Sequence, residues 1–132
     1  FVKSDAGLID ALILPLAKHI DGANMAELQG KESTKWTNSA AILQKSLKGI
    51  QSNTDLELKR KEFETLSESL ISVVEYFGNG EMQLYKQFCP MAFGDKGANW
   101  LSLQKEIRNP YFGDKMLTCG EVKKTYSPKK PI

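Results

Sequence analysis

The sequence predicts a mainly α-helical fold, in which an antiparallel bundle of three or four helices precedes an irregular C-terminal lobe with at most short strands. Apolar residues recur at spacings of three and four through the first two thirds of the chain, which is the period of an amphipathic helix. Turn residues then recur every few positions after residue 80. With 132 residues, the chain has room for one core. We therefore expect a single domain, residues 1–132, with a bundle at 1–80 and a lobe at 81–132 packed on it.

The first predicted helix occupies about residues 4–20 and carries Leu12 and Leu16 on one apolar stripe. Pro15 should kink this helix, because proline removes a backbone donor. His19, the only histidine, lies three residues after Leu16 on the same stripe. It either satisfies carbonyl groups at the helix end or adds a ligand to a metal site.

Two further helices show a clearer pattern. The second has five apolar residues on one face: Trp36, Ala40, Leu43, Leu47 and Ile50. The third repeats the pattern at Leu56, Phe63, Leu66, Leu70, Val73 and Phe77. Thr54 and Glu57 form a capping-box signature before the third helix, and Gly78 begins the segment that ends it. Because only a few residues around Asn53 join the two helices, we expect them to be antiparallel neighbours.

The lobe is rich in aromatic residues and poor in periodicity. A weak alternation before Cys89 predicts one short strand that ends there. Trp100, Tyr111 and Phe112 either pack the lobe or present a docking surface. The lysines between residues 123 and 130 are interpreted as a solvated chain terminus.

Two sulfur-rich elements, a C-P-M tripeptide and an M-L-T-C tetrapeptide, lie at opposite ends of the lobe. An extended backbone would point Cys89 and Met91 the same way, and one helical turn would align Met116 with Cys119. Thiolate and thioether sulfur favour soft metal ions, above all Cu(I). The sequence therefore predicts a site in which these four residues hold Cu(I) or another soft metal ion.

A disulfide between Cys89 and Cys119 is the alternative interpretation. It would close a loop of about 30 residues and stabilise the lobe by roughly 3–4 kcal/mol in the loop-closure model. Met91 and Met116 would then fill the core. A small lobe with little regular structure needs a cross-link of this kind to be stable. The residues alone therefore leave both the metal site and the disulfide open.

Composition and motifs argue against several classes of protein. The 18 basic and 16 acidic side chains give a net charge of +2, without the clustered basic surface that nucleic-acid binding needs. No apolar run approaches the roughly 20 residues of a membrane-spanning helix. No nucleophile motif or acid–base pair is identifiable, so we expect a protein that is not an enzyme.

Four blocks in the lobe carry a resemblance to a known family: Cys89-Pro90-Met91-Ala92-Phe93, Gly97-Ala98-Asn99-Trp100-Leu101-Ser102, Glu106-Ile107-Arg108-Asn109-Pro110-Tyr111-Phe112-Gly113 and Met116-Leu117-Thr118-Cys119-Gly120-Glu121-Val122. In these blocks the chain resembles a bacterial domain-of-unknown-function family of envelope proteins. That family also occurs at the C-terminus of periplasmic adaptor subunits of heavy-metal (copper/silver) efflux pumps. The helical part resembles the family more loosely.

The resemblance implies a periplasmic or cell-envelope location, with the signal or anchor outside this chain, and an efflux adaptor or other envelope protein as partner. Many family members carry a His three residues before the Trp of the second helix and a Met just after it. Ser33 and Thr37 stand at those positions here, which implies weaker metal binding. The expected function is a soft-metal module of heavy-metal efflux or homeostasis. The alternative is a disulfide-stabilised structural or interaction domain without metal.

Overall fold

The computed structural model describes residues 30–79 and 83–127. Two long helices come first: α1 over Lys31–Ser52 and α2 over Leu56–Phe77. Three strands follow: β1 over Leu84–Cys89, β2 over Ala98–Ser102 and β3 over Glu121–Tyr126. A tight turn at Ala92–Asp95, in which Phe93, Gly94 and Asp95 have positive φ angles, joins β1 to β2, and a 3-10 turn at Gly113–Lys115 lies between β2 and β3.

The two helices confirm the pattern of apolar residues that predicts them. Leu43, Leu47 and Ile50 recur on one face of α1, and all three are buried. Gly49, next to this stripe, lies directly against the side chain of Glu62 on α2. A Cβ atom at Gly49 would lie only 2.6 Å from the carboxyl end of that side chain, so a larger residue there would require Glu62 to move.

A buried lysine of α2 donates a hydrogen bond to the C-terminal end of α1. Lys59 is 1% exposed, and its ammonium group donates a hydrogen bond to the carbonyl oxygen of Ile50. The last turn of α1 has no basic residue of its own, so Lys59 supplies positive charge to the negative end of the helix dipole. Asn53 adds a second donor there, because its side-chain amide lies 2.7 Å from the carbonyl oxygen of Gly49.

The start of α2 differs from the predicted capping box. Asp55 caps the helix: its carboxylate accepts hydrogen bonds from the backbone N–H groups of Glu57 and Leu58, at 2.8 and 3.2 Å. The prediction of Thr54 as the cap is therefore wrong by one residue. Aspartate is favoured at this position because its negative charge also complements the positive end of the helix dipole.

Three antiparallel strands form a sheet in the order β2-β1-β3, with β1 in the centre. Cys89 pairs with Ala98 at one end of the sheet, and Leu84 pairs with Tyr126 at the other. The strand that ends at Cys89 is confirmed. The other two strands are additional, and β3 contains Lys123, which was assigned to a solvated terminus.

The predicted fold class is wrong. Two long helices combined with a three-stranded antiparallel sheet make a mixed α and β architecture, not a helical bundle with an irregular lobe. The error arises because β2 and β3 are edge strands whose pairing with β1 is non-local. Strands of this kind are stabilised by the neighbouring strand and leave little periodic signal in the sequence.

Hydrogen bonds and an ion pair join the C-terminal end of α2 and the residues after it to β3. Tyr126 is 8% exposed, and its hydroxyl donates to the carboxylate of Glu75 at 2.7 Å. The side-chain amide of Asn79 donates to the carbonyl oxygens of Tyr126 and Ser127, at 3.2 and 3.1 Å. Lys124 lies 3.8 Å from the same carboxylate.

The predicted stop at Gly78 is confirmed, since α2 ends at Phe77 and Gly78 has a φ of +93°.

By their packing, the residues divide into two units whose boundary falls inside α2, between Ser69 and Leu70. The described part of one unit, residues 30–69, contains α1 and most of α2. The described part of the other, residues 70–79 and 83–127, contains the end of α2 and the sheet. The predicted first helix and His19 lie outside the described residues. Among those residues, no helix combines the length and the apolar character needed to cross a membrane.

Candidate functional site

One face of the sheet carries a row of buried residues. Gln87 and Cys89 are two positions apart in β1 and therefore point to the same face, and both are 0% exposed. Their partners on β2, Trp100 and Ala98, are also buried. Cys89 thus ends the central strand, inside the core of the sheet.

The segment after β2 is held over this face by Gln87. The side-chain amide nitrogen of Gln87 donates to the carbonyl oxygens of Gln104 and Lys105, at 2.9 and 3.2 Å. A buried side chain therefore supplies hydrogen bonds to a bend that lies outside any helix or strand. The carbonyl groups of such a bend need partners wherever water is excluded.

Asn109 organises the loop that carries the second cysteine. It is 0% exposed, and its side-chain amide donates to the carbonyl oxygen of Cys119 at 2.7 Å. Its side-chain oxygen accepts from the backbone N–H groups of Tyr111 and Phe112, at 2.8 and 3.2 Å. Its backbone N–H donates to the carbonyl oxygen of Leu117 at 2.7 Å. One buried side chain therefore joins the two ends of this loop.

The backbone at Cys119 lies against the central strand. The N–H of Cys119 donates to the carbonyl oxygen of Met116 at 3.1 Å, which forms a turn. Gly120 follows with a φ of +143°, and a Cβ atom there would lie 2.9 Å from the carbonyl oxygen of Phe88. Glycine permits both the backbone angle and the close approach. The residue after Cys119 thus contacts the residue before Cys89.

The structure brings the two cysteines together from opposite ends of the lobe. Both are free thiols, with Cys89 buried and Cys119 half-buried. The two thiols lie close enough for Cys89 to act on the pKa of Cys119, in keeping with the approach of Gly120 to Phe88. Burial raises the pKa of the Cys119 thiol, and the charge and hydrogen bond of Cys89 raise it further. Such a pair can share a soft metal ion or, once oxidised, form a disulfide, so both predictions stay open.

The two methionines differ in their settings. Met91 has φ −95° and ψ −4°, so the extended backbone expected for the C-P-M element is wrong at this residue. Its side chain is 47% exposed, in contrast to the buried Cys89. Met116 is half-buried and belongs to the same turn as Cys119. The two residues thus share a hydrogen-bonded turn, but Met116, with φ −148° and ψ 53°, is not in the helical conformation that the M-x-x-C spacing was expected to adopt.

The aromatic residues expected to pack the lobe or to form a docking surface lie mostly inside it. Trp100 and Tyr111 are each 4% exposed, and their rings meet edge to face with centroids 5.8 Å apart. The Tyr111 hydroxyl donates to the carbonyl oxygen of Asn99 at 2.6 Å. Phe93 packs on Tyr111 in the same manner at 5.4 Å, and Phe112 is half-buried. These contacts surround the loop with apolar groups.

Sequence reasoning assigned no role to Gln87 or Asn109. The Asn109-Pro110 dipeptide does carry a signal, since asparagine before proline favours a turn that its own side chain closes. Nothing in the sequence indicates the role of Gln87, because its partners are backbone carbonyl groups. Within residues 30–79 and 83–127, no three His, Cys, Asp or Glu side chains form a group that could hold a metal ion. The candidate site therefore rests on two thiols and the neighbouring thioethers.

Comparisons with known proteins bear on the helical part of the chain. No curated protein and no solved structure matches the chain. A family model does match, over residues 1–82, which include both described helices and end before β1. The four lobe blocks lie beyond that match, and their resemblance to efflux-pump adaptors stays a prediction. The chain belongs to the family described as Protein of unknown function (DUF3347).

Proposed function

We propose that the lobe is a soft-metal binding module in which Cys89 and Cys119 are the principal ligands. The observation that carries this proposal is the proximity of the two cysteines at the end of the central strand, where Gly120 lies against Phe88 and Cys89 acts on the pKa of Cys119. Two thiolates are a donor set that Cu(I) and similar ions prefer over water and over carboxylate ligands. No covalent chemistry is required, because ligand exchange between sulfur sites suffices to take up and release the ion.

The surroundings of the pair suit a metal ligand set. Trp100 and Tyr111 are buried, and an apolar shell limits solvent access to an ion and to its ligands. Asn109 fixes the carbonyl group of Cys119, so the second thiol is presented by an ordered backbone. We assign Met116, which shares a turn with Cys119, as the additional thioether ligand, and the more exposed Met91 as the weaker candidate.

Protonation opposes metal binding at this site. Thiols bind soft metal ions as thiolates, so uptake of an ion releases the thiol protons. Because the pKa of Cys119 is raised, deprotonation of this thiol costs more of the free energy of metal binding than deprotonation of an ordinary thiol. We therefore expect apparent affinity to rise with pH across the neutral range.

The place of the module in the cell follows from the resemblance of its lobe. We propose that it works in the periplasm or cell envelope, where it buffers copper or silver ions or passes them to an efflux adaptor. Sulfur sites are suited to such transfer, since an incoming thiolate or thioether can enter as another leaves.

A Cu(I) competition titration against a chromophoric chelator tests the proposal. The reduced parent protein is compared with a Cys89→Ser/Cys119→Ser variant and with Thr118→Ser, which alters an exposed neighbour of Cys119. We expect the parent and Thr118→Ser to withdraw one equivalent of copper, and the double variant to withdraw none. Equal withdrawal by all three proteins, or none by the parent, would contradict it. In the latter case a disulfide-stabilised interaction domain is the better account.

A further inference from the structure

The two thiols of the site differ in how an oxidant can reach them. Cys89 is 0% exposed at the end of β1, where it pairs with Ala98 of β2. Cys119 is half-buried and lies in a loop, two residues before Glu121, where the pairing of β3 with β1 begins. Thiol–disulfide exchange requires direct access of the attacking sulfur to the disulfide. Access therefore favours Cys119.

The backbone around the pair is already arranged for the thiols to meet. The N–H and the C=O of Cys119 both have partners, Met116 and Asn109. Gly120 lies against Phe88, the residue before Cys89. Because the main chain is fixed at Cys119 and Gly120 lies against the residue before Cys89, we expect a bond between the sulfur atoms to need mainly side-chain rotation.

We propose that Cys89 and Cys119 form a thiol–disulfide couple that gates the metal site, with Cys119 as the entry thiol and Cys89 as the resolving thiol. This inference rests on the proposed function, because a gate requires the same two sulfur atoms to hold the ion. In the reduced state both thiolates are free to bind. In the oxidised state each sulfur is bonded to the other, and neither is a thiolate ligand.

The oxidation proceeds in two exchange steps with a disulfide as the oxidant. The Cys119 thiolate attacks one sulfur of that disulfide, so a mixed disulfide forms, the original S–S bond breaks and one thiolate leaves. The Cys89 thiolate then attacks the Cys119 sulfur, forming the internal disulfide and expelling the second thiolate. Two protons pass from the cysteines to solvent. Two electrons pass from the pair to the oxidant, which is thereby reduced to two thiolates.

Reaction of the metal-free, full chain with the aromatic disulfide DTNB tests the couple without any metal. We expect the parent to release two aromatic thiolates per chain and to retain no aromatic group by mass spectrometry. The Cys89→Ser variant should release one thiolate and keep one aromatic group on Cys119. The Cys119→Ser variant should react at least tenfold more slowly, because its only thiol is buried. Circular dichroism of both variants checks that they are folded.

Two results would overturn the couple. One is a parent protein that stops with aromatic groups attached to both cysteines. The other is a Cys119→Ser variant that reacts as fast as Cys89→Ser while remaining folded, which would remove the assignment of the entry thiol. Since the parent alone gives the first readout, the test does not depend on the variants folding.

The Cu(I) titration is then repeated on the oxidised and re-reduced parent protein. We expect the oxidised form to withdraw no copper and re-reduction to restore withdrawal. Equal withdrawal by the oxidised form would overturn both the gate and the assignment of the two thiolates as ligands. A reduced form that withdraws copper but does not close the internal disulfide with DTNB would overturn the couple and leave the metal site standing. Failure of the reduced form to bind copper, with the disulfide closing normally, would overturn the proposed function and the gate together.

Discussion

The side-chain amide of Asn109 donates a hydrogen bond of 2.7 Å to the backbone carbonyl of Cys119. Through this bond a completely buried side chain controls where the half-buried thiol lies. The other groups of Asn109 hold the start of the same loop, at Tyr111 and Phe112. The position of the second cysteine thus depends on a residue ten places earlier that is not itself a ligand.

Asn109→Ala should unfold more easily and bind Cu(I) more weakly than the parent. Removing the side chain leaves the Cys119 carbonyl and two N–H groups without partners, at a cost of about 2–3 kcal/mol in the free energy of unfolding. Urea unfolding and the copper titration measure the two effects. Asn38→Ala, an exposed change within α1, is the matched control and should be neutral or slightly stabilising. A parent-like stability for Asn109→Ala would refute the role given to this residue.

Alkylation of Cys119 should require a higher pH than alkylation of an ordinary thiol. Burial and the neighbouring Cys89 raise its pKa above the ordinary value of 9.0, so less of it is thiolate at neutral pH. In Cys89→Ala only burial remains, and the midpoint of the rate of iodoacetamide alkylation should move to lower pH. Mass spectrometry at a series of pH values gives both midpoints. An unchanged midpoint in the variant would show that the two thiols do not interact.

Met116→Leu should weaken Cu(I) binding more than Met91→Leu does. Met116 shares a turn with Cys119, whereas Met91 is 47% exposed and its backbone departs from the extended form. For Met116→Leu we expect a loss of the order of tenfold, the size typical of supporting groups at metal sites. Leucine keeps a similar volume, so the free energy of unfolding serves as the control for packing. The reverse order of effects would place Met91 at the metal instead.

The Glu75–Tyr126 hydrogen bond should make stability depend on pH at both extremes. The Tyr126 hydroxyl, with smaller help from Lys124, lowers the pKa of Glu75. This contribution is present above the ordinary pKa of 4.5 and is lost as pH falls through the lowered folded value. Burial, and then Glu75, raise the pKa of Tyr126. That contribution is present below the ordinary pKa of 10.0 and is lost as pH rises above it.

Urea unfolding of the parent and of Tyr126→Phe between pH 3 and pH 11 measures this dependence. We expect a flatter profile for the variant at the acid and alkaline ends, since it lacks the hydroxyl that donates to Glu75. Tyr76→Phe, at a 49%-exposed position in the helix that contains Glu75, is the control. Parallel profiles for parent and Tyr126→Phe would show that the bond makes no contribution in solution.

Local features of the sequence predict the helices well. The spacing of Leu43, Leu47 and Ile50 repeats within one helix, so it needs no knowledge of the rest of the chain. Local features do not predict the contacts between segments that are distant in the sequence. The concentration of lysines beside prolines near the end of the sequence predicts a solvated terminus at Lys123, yet this residue lies in a strand that pairs with β1. Likewise, nothing local to Lys59 indicates that its ammonium group closes the end of α1.

The candidate site follows the same division. The two cysteines stand out from composition alone, and their residue types indicate soft-metal or disulfide chemistry. Their proximity depends on Asn109 and on the approach of Gly120 to Phe88, which link segments far apart in the sequence. A single sequence names the reactive groups more readily than the polar residues that position them.

Copper-edge X-ray absorption spectroscopy of the protein loaded with one equivalent of Cu(I) tests the metal site most directly. The account predicts that sulfur atoms dominate the first coordination shell of the parent protein. In Cys119→Ser that shell should lose sulfur or the copper should not be retained. A shell of nitrogen and oxygen atoms that is the same in parent and variant would contradict the site, because neither thiol would then be a ligand.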